Sequence, residues 1–186
     1  RTRVMPDDDS SQRTPSVSVV IPVFRPEPRF LRLAIQSVLQ QTMSDWQLIL
    51  VDDASASPSV TDVLEWAASD PRVDLVTLPQ NLGISGASNA GLALVDAPLL
   101  GLLDHDDMLE PDALAEVVSA ARRNPDAEII YSDRDAVSAG GIPTETFLKP
   151  DWSPERLRAN MYLAHLTVVC TDAAREVGGF DSRYDG

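Results

Sequence analysis

Cysteine is almost absent: the 186 residues contain one, Cys170. A single thiol excludes an internal disulfide framework, and its place inside an apolar run fits a reduced compartment. Long apolar runs are also missing. No stretch approaches the roughly 20 residues that a membrane-spanning helix needs, and no signal-peptide pattern opens the sequence. Basic charge is scarce. Fifteen Lys and Arg stand against 29 Asp and Glu, giving a net charge of −14 and a pI near 4.3. Such a balance argues against nucleic acid and against direct binding to anionic lipid. It also repels a nucleotide diphosphate, so that ligand would need a cation. What remains is a chain that is 44% hydrophobic and 24% charged, long enough for one domain with a substantial core.

Residues 1–15 carry Pro, Ser and the Asp7-Asp8-Asp9 run with almost nothing apolar, and read as a disordered leader. From Val17 onward, strand and helix signatures alternate. Strands are expected at 17–24, 46–51, 73–78, 97–103 and 129–131. Helices are expected at 30–41, 60–68, 84–95 and from Ala113 to about Ala121. Alternation of this kind predicts an α/β fold with a mostly parallel central sheet flanked by helices. Ligands of such sheets bind beyond the carboxyl ends of the strands. Arg25, Asp52-Asp53, Asn81 and Asp104–Asp107 all fall at those ends and should meet in one crevice. After Asp133 the pattern changes to glycine and proline turns with one more strand at 165–170, a smaller and irregular portion.

The densest signal is Leu102-Leu103-Asp104-His105-Asp106-Asp107, where an apolar strand runs into three carboxylates. Crowded carboxylates either raise a pKa or call for a cation. Oxygen ligands at this spacing suit Mg²⁺ or Mn²⁺. The competing reading is an acidic loop that caps the helix starting near Pro111. The run is no EF-hand, since Leu109 stands where the loop glycine belongs and Ala115 where the last Glu belongs.

Asp52-Asp53-Ala54-Ser55 can accept from a base N–H or a ribose hydroxyl, or simply serve as a helix cap. Residues 81–91, rich in Gly, Ala and Ser, lead from a strand into a helix whose amino end could favour an anion; close helix–sheet packing explains them equally well. The glycine spacing there is not the dinucleotide fingerprint. Trp152 could stack on a sugar or plug the core, and His165 could be a site residue or a core residue. Gly178-Gly179-Phe180 reads as a helix C-cap with a hydrophobic anchor.

Five segments then occur in a recognisable order: Val19-Val20-Ile21-Pro22-Val23-Phe24, Leu50-Val51-Asp52-Asp53-Ala54-Ser55, Asn81-Leu82-Gly83, Leu103-Asp104-His105-Asp106-Asp107 and Val177-Gly178-Gly179-Phe180. Together they resemble glycosyltransferase family 2, inverting enzymes of the GT-A fold, over residues 16–186. Phe147-Leu148-Lys149-Pro150-Asp151-Trp152-Ser153-Pro154, with Asn160 and His165-Leu166, is similar to the bacterial branch that builds O-antigen, rhamnan or related surface polysaccharides. A third class that shares the fold idea, the nucleotidyltransferases, usually has a Gly-rich basic loop after the first strand, and Ile21–Pro26 lacks one.

The resemblance implies roles. Pro22, Val23 and Phe24 would line the base pocket, and Asp52 with Asp53 would lie at the nucleotide, Asp53 on the nucleobase. Asn81, Gly83 and Ser88 would flank the nucleotide, Ser88 standing where many relatives carry Arg. Asp104 and His105 would lie at the ribose, and Asp104, Asp106 and Asp107 at the Mn²⁺ or Mg²⁺. Trp152 and His165 would face the acceptor. The base is expected beyond Gly186, with Asp181 and Asp185 as weak candidates. The implied division is a nucleotide-binding half, 16–133, and a partial acceptor-side half, 134–186, of a cytoplasmic protein, peripheral to the inner membrane face if other regions or partners attach it. The implied partners are a UDP- or dTDP-sugar and a glycan or lipid-linked acceptor. The alternative is a non-catalytic nucleotide-sugar-binding module. Removing Asp53 is expected to weaken nucleotide binding with the fold intact.

Overall fold

A computed structural model describes residues 14–138, 142–164 and 166–185. Most of the expected leader, residues 1–13, and His165 lie outside the described residues. In chain order the first part runs β1 (Val17–Val23), α1 (Pro28–Leu39), β2 (Trp46–Asp52), α2 (Pro58–Ala67), β3 (Val73–Thr77), α3 (Gly83–Leu92), β4 (Leu99–Leu102), α4 (Ala113–Arg123) and β5 (Ile129–Tyr131). Then come β6 (Arg134–Val137), β7 (Pro143–Phe147), α5 (Pro154–Ala159), β8 (Thr167–Cys170), α6 (Thr171–Glu176) and a 3₁₀ turn at Ser182–Tyr184.

The central sheet has six strands in the order β3-β2-β1-β4-β8-β5. β1 to β4 run parallel, while β8 is antiparallel to both β4 and β5. The alternating expectation thus holds through β4. The late strand β8 then inserts between β4 and β5, which local periodicity could not reveal. β1 and β2 are Val-, Ile- and Leu-rich because both their faces are covered. Val19, Ile21, Leu48 and Leu50 pack on α1, α2 and α4 through Leu31, Ile35, Val60, Leu64 and Leu114. Val20, Ile49, Val51 and Leu100 pack on α3 and α6 through Ala87, Leu92 and Ala174.

α1 forms because Leu31, Ala34, Ile35 and Val38 recur on one face and Pro28 is tolerated in the first turn. α3 is built of small residues because it lies close on the sheet. A Cβ added at Gly91 would stand 2.5 Å from Val20 Cγ1.

β6 and β7 form a separate antiparallel ribbon in which Arg134 faces Phe147. Its base is tied down by Lys149. The Lys149 amide donates to Asp133 Oδ1 at 2.6 Å, and its Nζ donates to the Leu163 and Ala164 carbonyls at 3.0 and 2.5 Å. Burial, aided by Arg134, holds the Lys149 pKa below its ordinary value. The ribbon and α5 were not expected from the sequence. None of the α5 residues is buried, so no apolar period marks it.

Gly91→Ala tests the close approach of α3. Val20 is fully enclosed and stiff at χ1, so overpacking should cost about 2–3 kcal/mol, outweighing the ~1 kcal/mol gain in helix propensity. Urea unfolding should show a lowered midpoint; an unchanged or raised midpoint would mean that α3 can move away from β1.

Candidate functional site

The chain runs outward from β1 through β2 to β3, then returns to place β4 on the other side of β1. That reversal makes a crevice outside the carboxyl ends of β1 and β4, the place where ligands bind in such sheets. Two acidic turns border it, one after β2 and one after β4.

Asp53 is one residue past β2 and only 2% exposed. Its Oδ1 accepts the Leu82 amide at 2.7 Å and its Oδ2 accepts the Gly83 amide at 3.0 Å. These amides lie at the amino end of α3, where free donors and the helix dipole favour a carboxylate. The Asp53 amide in turn donates to Val23 O at 2.8 Å. One residue therefore joins the ends of β1, β2 and α3. The capping reading of this segment holds, but the helix that Asp53 caps is α3 rather than the one that follows it in sequence. Two of the four or so lone-pair positions of the carboxylate are occupied. Loss of Asp53 would therefore leave the Leu82 and Gly83 amides without this acceptor.

Asp52 points the other way, as strand alternation requires. Its Oδ1 accepts the Ser55 amide at 2.9 Å, and it lines an open hollow of about 580 Å³ beside α2 with Ser57, Thr61, Asp62, Glu65 and Thr77. Only Asp53 of the pair faces α3. The two loops here hold Arg25, Ala54 and Ala56 at positive φ, of order 1–2 kcal/mol of strain each. Ser55 Oγ holds them together, accepting from the Arg25 amide at 3.0 Å and donating to Val23 O at 3.4 Å.

Several expected residues change place. Val23 has no exposed surface and faces the α1/α2/α4 core, so its side chain lines no pocket; Pro22 is half-buried. Phe24 is exposed at the rim, with the Arg25 guanidinium 5.1 Å from its ring centre. Ser88 is enclosed beside Ala87. Asn81 is exposed, and its Oδ1 accepts the Gly83 amide at 3.2 Å. At the amino end of α3, Asp53 holds the Leu82 and Gly83 amides, and the Asp185 carboxylate lies against Gly83 and accepts the Ser85 hydroxyl. Trp152 is 53% exposed and plugs no core.

In the second acidic turn the Asp107 amide donates to Asp104 O at 3.2 Å. His105 Nδ1 stands 3.7 Å from Asp106 Oδ1, which is exposed. Among the described residues no three His, Cys, Asp or Glu side chains converge as a metal-holding group. What the turn offers is one or two hard oxygen donors, which fits Mg²⁺ or Mn²⁺ when a substrate's phosphates complete the shell. Asp181 is bound by Arg183, whose Nε donates to Oδ2 at 2.8 Å and whose hydrogen bonds hold the Asp181 pKa below its usual range.

The model of the family described as Glycosyl transferase family 2 matches residues 18–173. The chain belongs to glycosyltransferase family 2. It is 42% identical over 176 residues to the Sinorhizobium fredii protein y4gI, covering 94% of this chain and 19% of that one. It is 37% identical over 175 residues to the O-antigen biosynthesis protein RfbC of Myxococcus xanthus, covering 94% of this chain and 14% of that one. The chain thus spans under a fifth of the length of either relative. S. aureus TarS 1-349, solved in complex with UDP-GlcNAc, superposes with a TM-score of 0.72 at 16% identity over 89% of this chain and 48% of that one. A mannosyltransferase from Pyrobaculum calidifontis, in complex with GDP-Man and Mn²⁺, gives 0.67 at 16% identity, covering 91% and 48%. The fold of this family 2 chain is GT-A.

Sequence reasoning missed Ser85 and Asn89 on α3. Their spacing of four on a helix of small residues was the available signal, since it puts two polar groups on one face.

Asp53→Ala should destabilise the protein by about 2 kcal/mol, the scale of hydrogen bonds to a charged group. Urea denaturation measures this, and a midpoint equal to that of the parent protein would remove the capping role.

Proposed function

We propose that this chain is the donor-binding part of an inverting, metal-assisted glycosyltransferase that takes a sugar from a nucleotide diphosphate, UDP or dTDP, in the making of a polysaccharide. The observation that carries this reading is the pair of acidic turns at the ends of β2 and β4, on either side of β1 at the sheet's switch point. Family membership and the O-antigen name of one relative support the polysaccharide context. UDP-GlcNAc and GDP-Man with Mn²⁺ in the two GT-A neighbours support the donor class and the cation.

Asp53 keeps α3 in place and offers its remaining lone pairs to a base N–H. Phe24 and Pro22 form the rim beside it. Asp104 accepts a ribose hydroxyl, and Asp106 is the exposed oxygen donor for the cation, with Asp107 next to it. Bound there, Mn²⁺ or Mg²⁺ would supply the positive charge that neutralises the leaving diphosphate. This chain needs it, since its net charge of −14 repels that group. Trp152, exposed in the acceptor-side half, is the stacking platform for a sugar ring. The proton of the attacking acceptor hydroxyl goes to a carboxylate. We assign that role to neither Asp181, engaged by Arg183, nor Asp185, engaged by Ser85.

Calorimetry with UDP tests the metal reading. Affinity should be at least about tenfold higher in Mn²⁺ than in EDTA, and Asp106→Asn should remove most of that difference. Equal affinity in both buffers would overturn it.

The engagement of both acids favours a second reading, a module that binds donor but transfers little by itself. Absence of a positioned base costs ~10²–10⁴-fold in rate. Sugar transfer by the purified chain should therefore be negligible; robust transfer to a glycan acceptor would return Asp185 to the role of base.

A further inference from the structure

One flank of α3 holds a second chain segment by side-chain grips that the donor site does not use. Asn89 forms a two-point clamp on Phe180. Its Nδ2 donates to Phe180 O at 2.7 Å, and its Oδ1 accepts the Phe180 amide at 2.8 Å. One turn earlier, the Ser85 hydroxyl donates to Asp185. Ser85 and Asn89 are four apart, so they lie on the same face and reach the two ends of 180–185.

The approach of that segment is built in. After α6 the Gly178 amide donates to Arg175 O at 3.0 Å and the Gly179 amide to Ala174 O at 2.9 Å, a Schellman-type end. Gly179 has φ +79°, and a Cβ there would collide with Asn89 Oδ1. Phe180 buries part of its ring in the α3/α6 core. The segment thereby brings Asp185 to Gly83, the residue whose amide Asp53 holds.

We propose that Ser85 and Asn89 are positioning residues that fix 180–185 as the α3-side wall of the donor crevice, so that a bound nucleoside diphosphate rests against this segment. The inference rests on the donor reading above. It adds to that reading a wall, two residues that hold it, and a place for Asp185 that is neither base nor metal ligand.

Hydrogen–deuterium exchange of the 180–185 amides in the full chain tests it, with and without UDP and Mn²⁺. In the parent protein, saturating UDP–Mn²⁺ should slow exchange in this segment. Asn89→Ala and Ser85→Ala should speed exchange there about fivefold or more without nucleotide, the scale of one net hydrogen bond. Both should also lose the UDP-induced slowing. Ser85→Thr, which keeps the hydroxyl, should restore it. Thermal melting confirms that each variant is folded, and Ser85→Ala, the milder change, serves if Asn89→Ala unfolds. Calorimetry on the same samples separates the two readings. No UDP binding would overturn the donor reading. UDP binding with unchanged exchange at 180–185 would overturn the wall alone, as would variants whose exchange matches that of the parent.

Discussion

The buried carboxylate of Asp53 is the constraint on which the crevice depends. It accepts two amides at the amino end of α3 while its own amide donates to β1. A carboxylate with 2% exposure is costly unless hydrogen bonds replace the water it gave up. Here the donors are helix-terminal amides, which need an acceptor in any case. The two requirements cancel, and the result is a rigid corner where two strands and a helix meet. Such a corner holds its remaining lone pairs in a fixed direction.

Charge organises the rest of the site. Both turns that border the crevice are acidic, and Asp185 adds a carboxylate at α3. At the amino end of α3 the Leu82 and Gly83 amides are already satisfied by Asp53. In the second turn Asp106 is exposed, whereas Asp104 and Asp107 are partly buried.

The β6–β7 ribbon and the chain up to Ala164 are tied down by a few long-range polar contacts. Lys149 fastens the base of the β6–β7 ribbon to the carbonyls of Leu163 and Ala164, and Tyr131 Oη donates to Pro150 O at 2.8 Å. β8 adds to the main sheet between β4 and β5, and α6 returns the chain to α3. Exposed Leu148, Trp152 and Met161 lie on the path between these anchors.

The sequence by itself determined the alternation of strands and helices through β4, the acidic strand ends, the glycine-rich cap after α6 and the family. Each of these is written in near neighbours: apolar spacing, a capping residue, a cluster of acids. Only the tertiary structure decided that β8 separates β4 from β5, that Asp53 meets the amino end of α3, and that Val23 and Ser88 are enclosed. It also decided that Trp152 is open and that Asp185 lies on α3. The physical reason is reach. Asp53 meets Leu82 across 29 positions and Ser85 meets Asp185 across 100, and such partners are chosen by how helices dock on a sheet, not by periodicity along the chain.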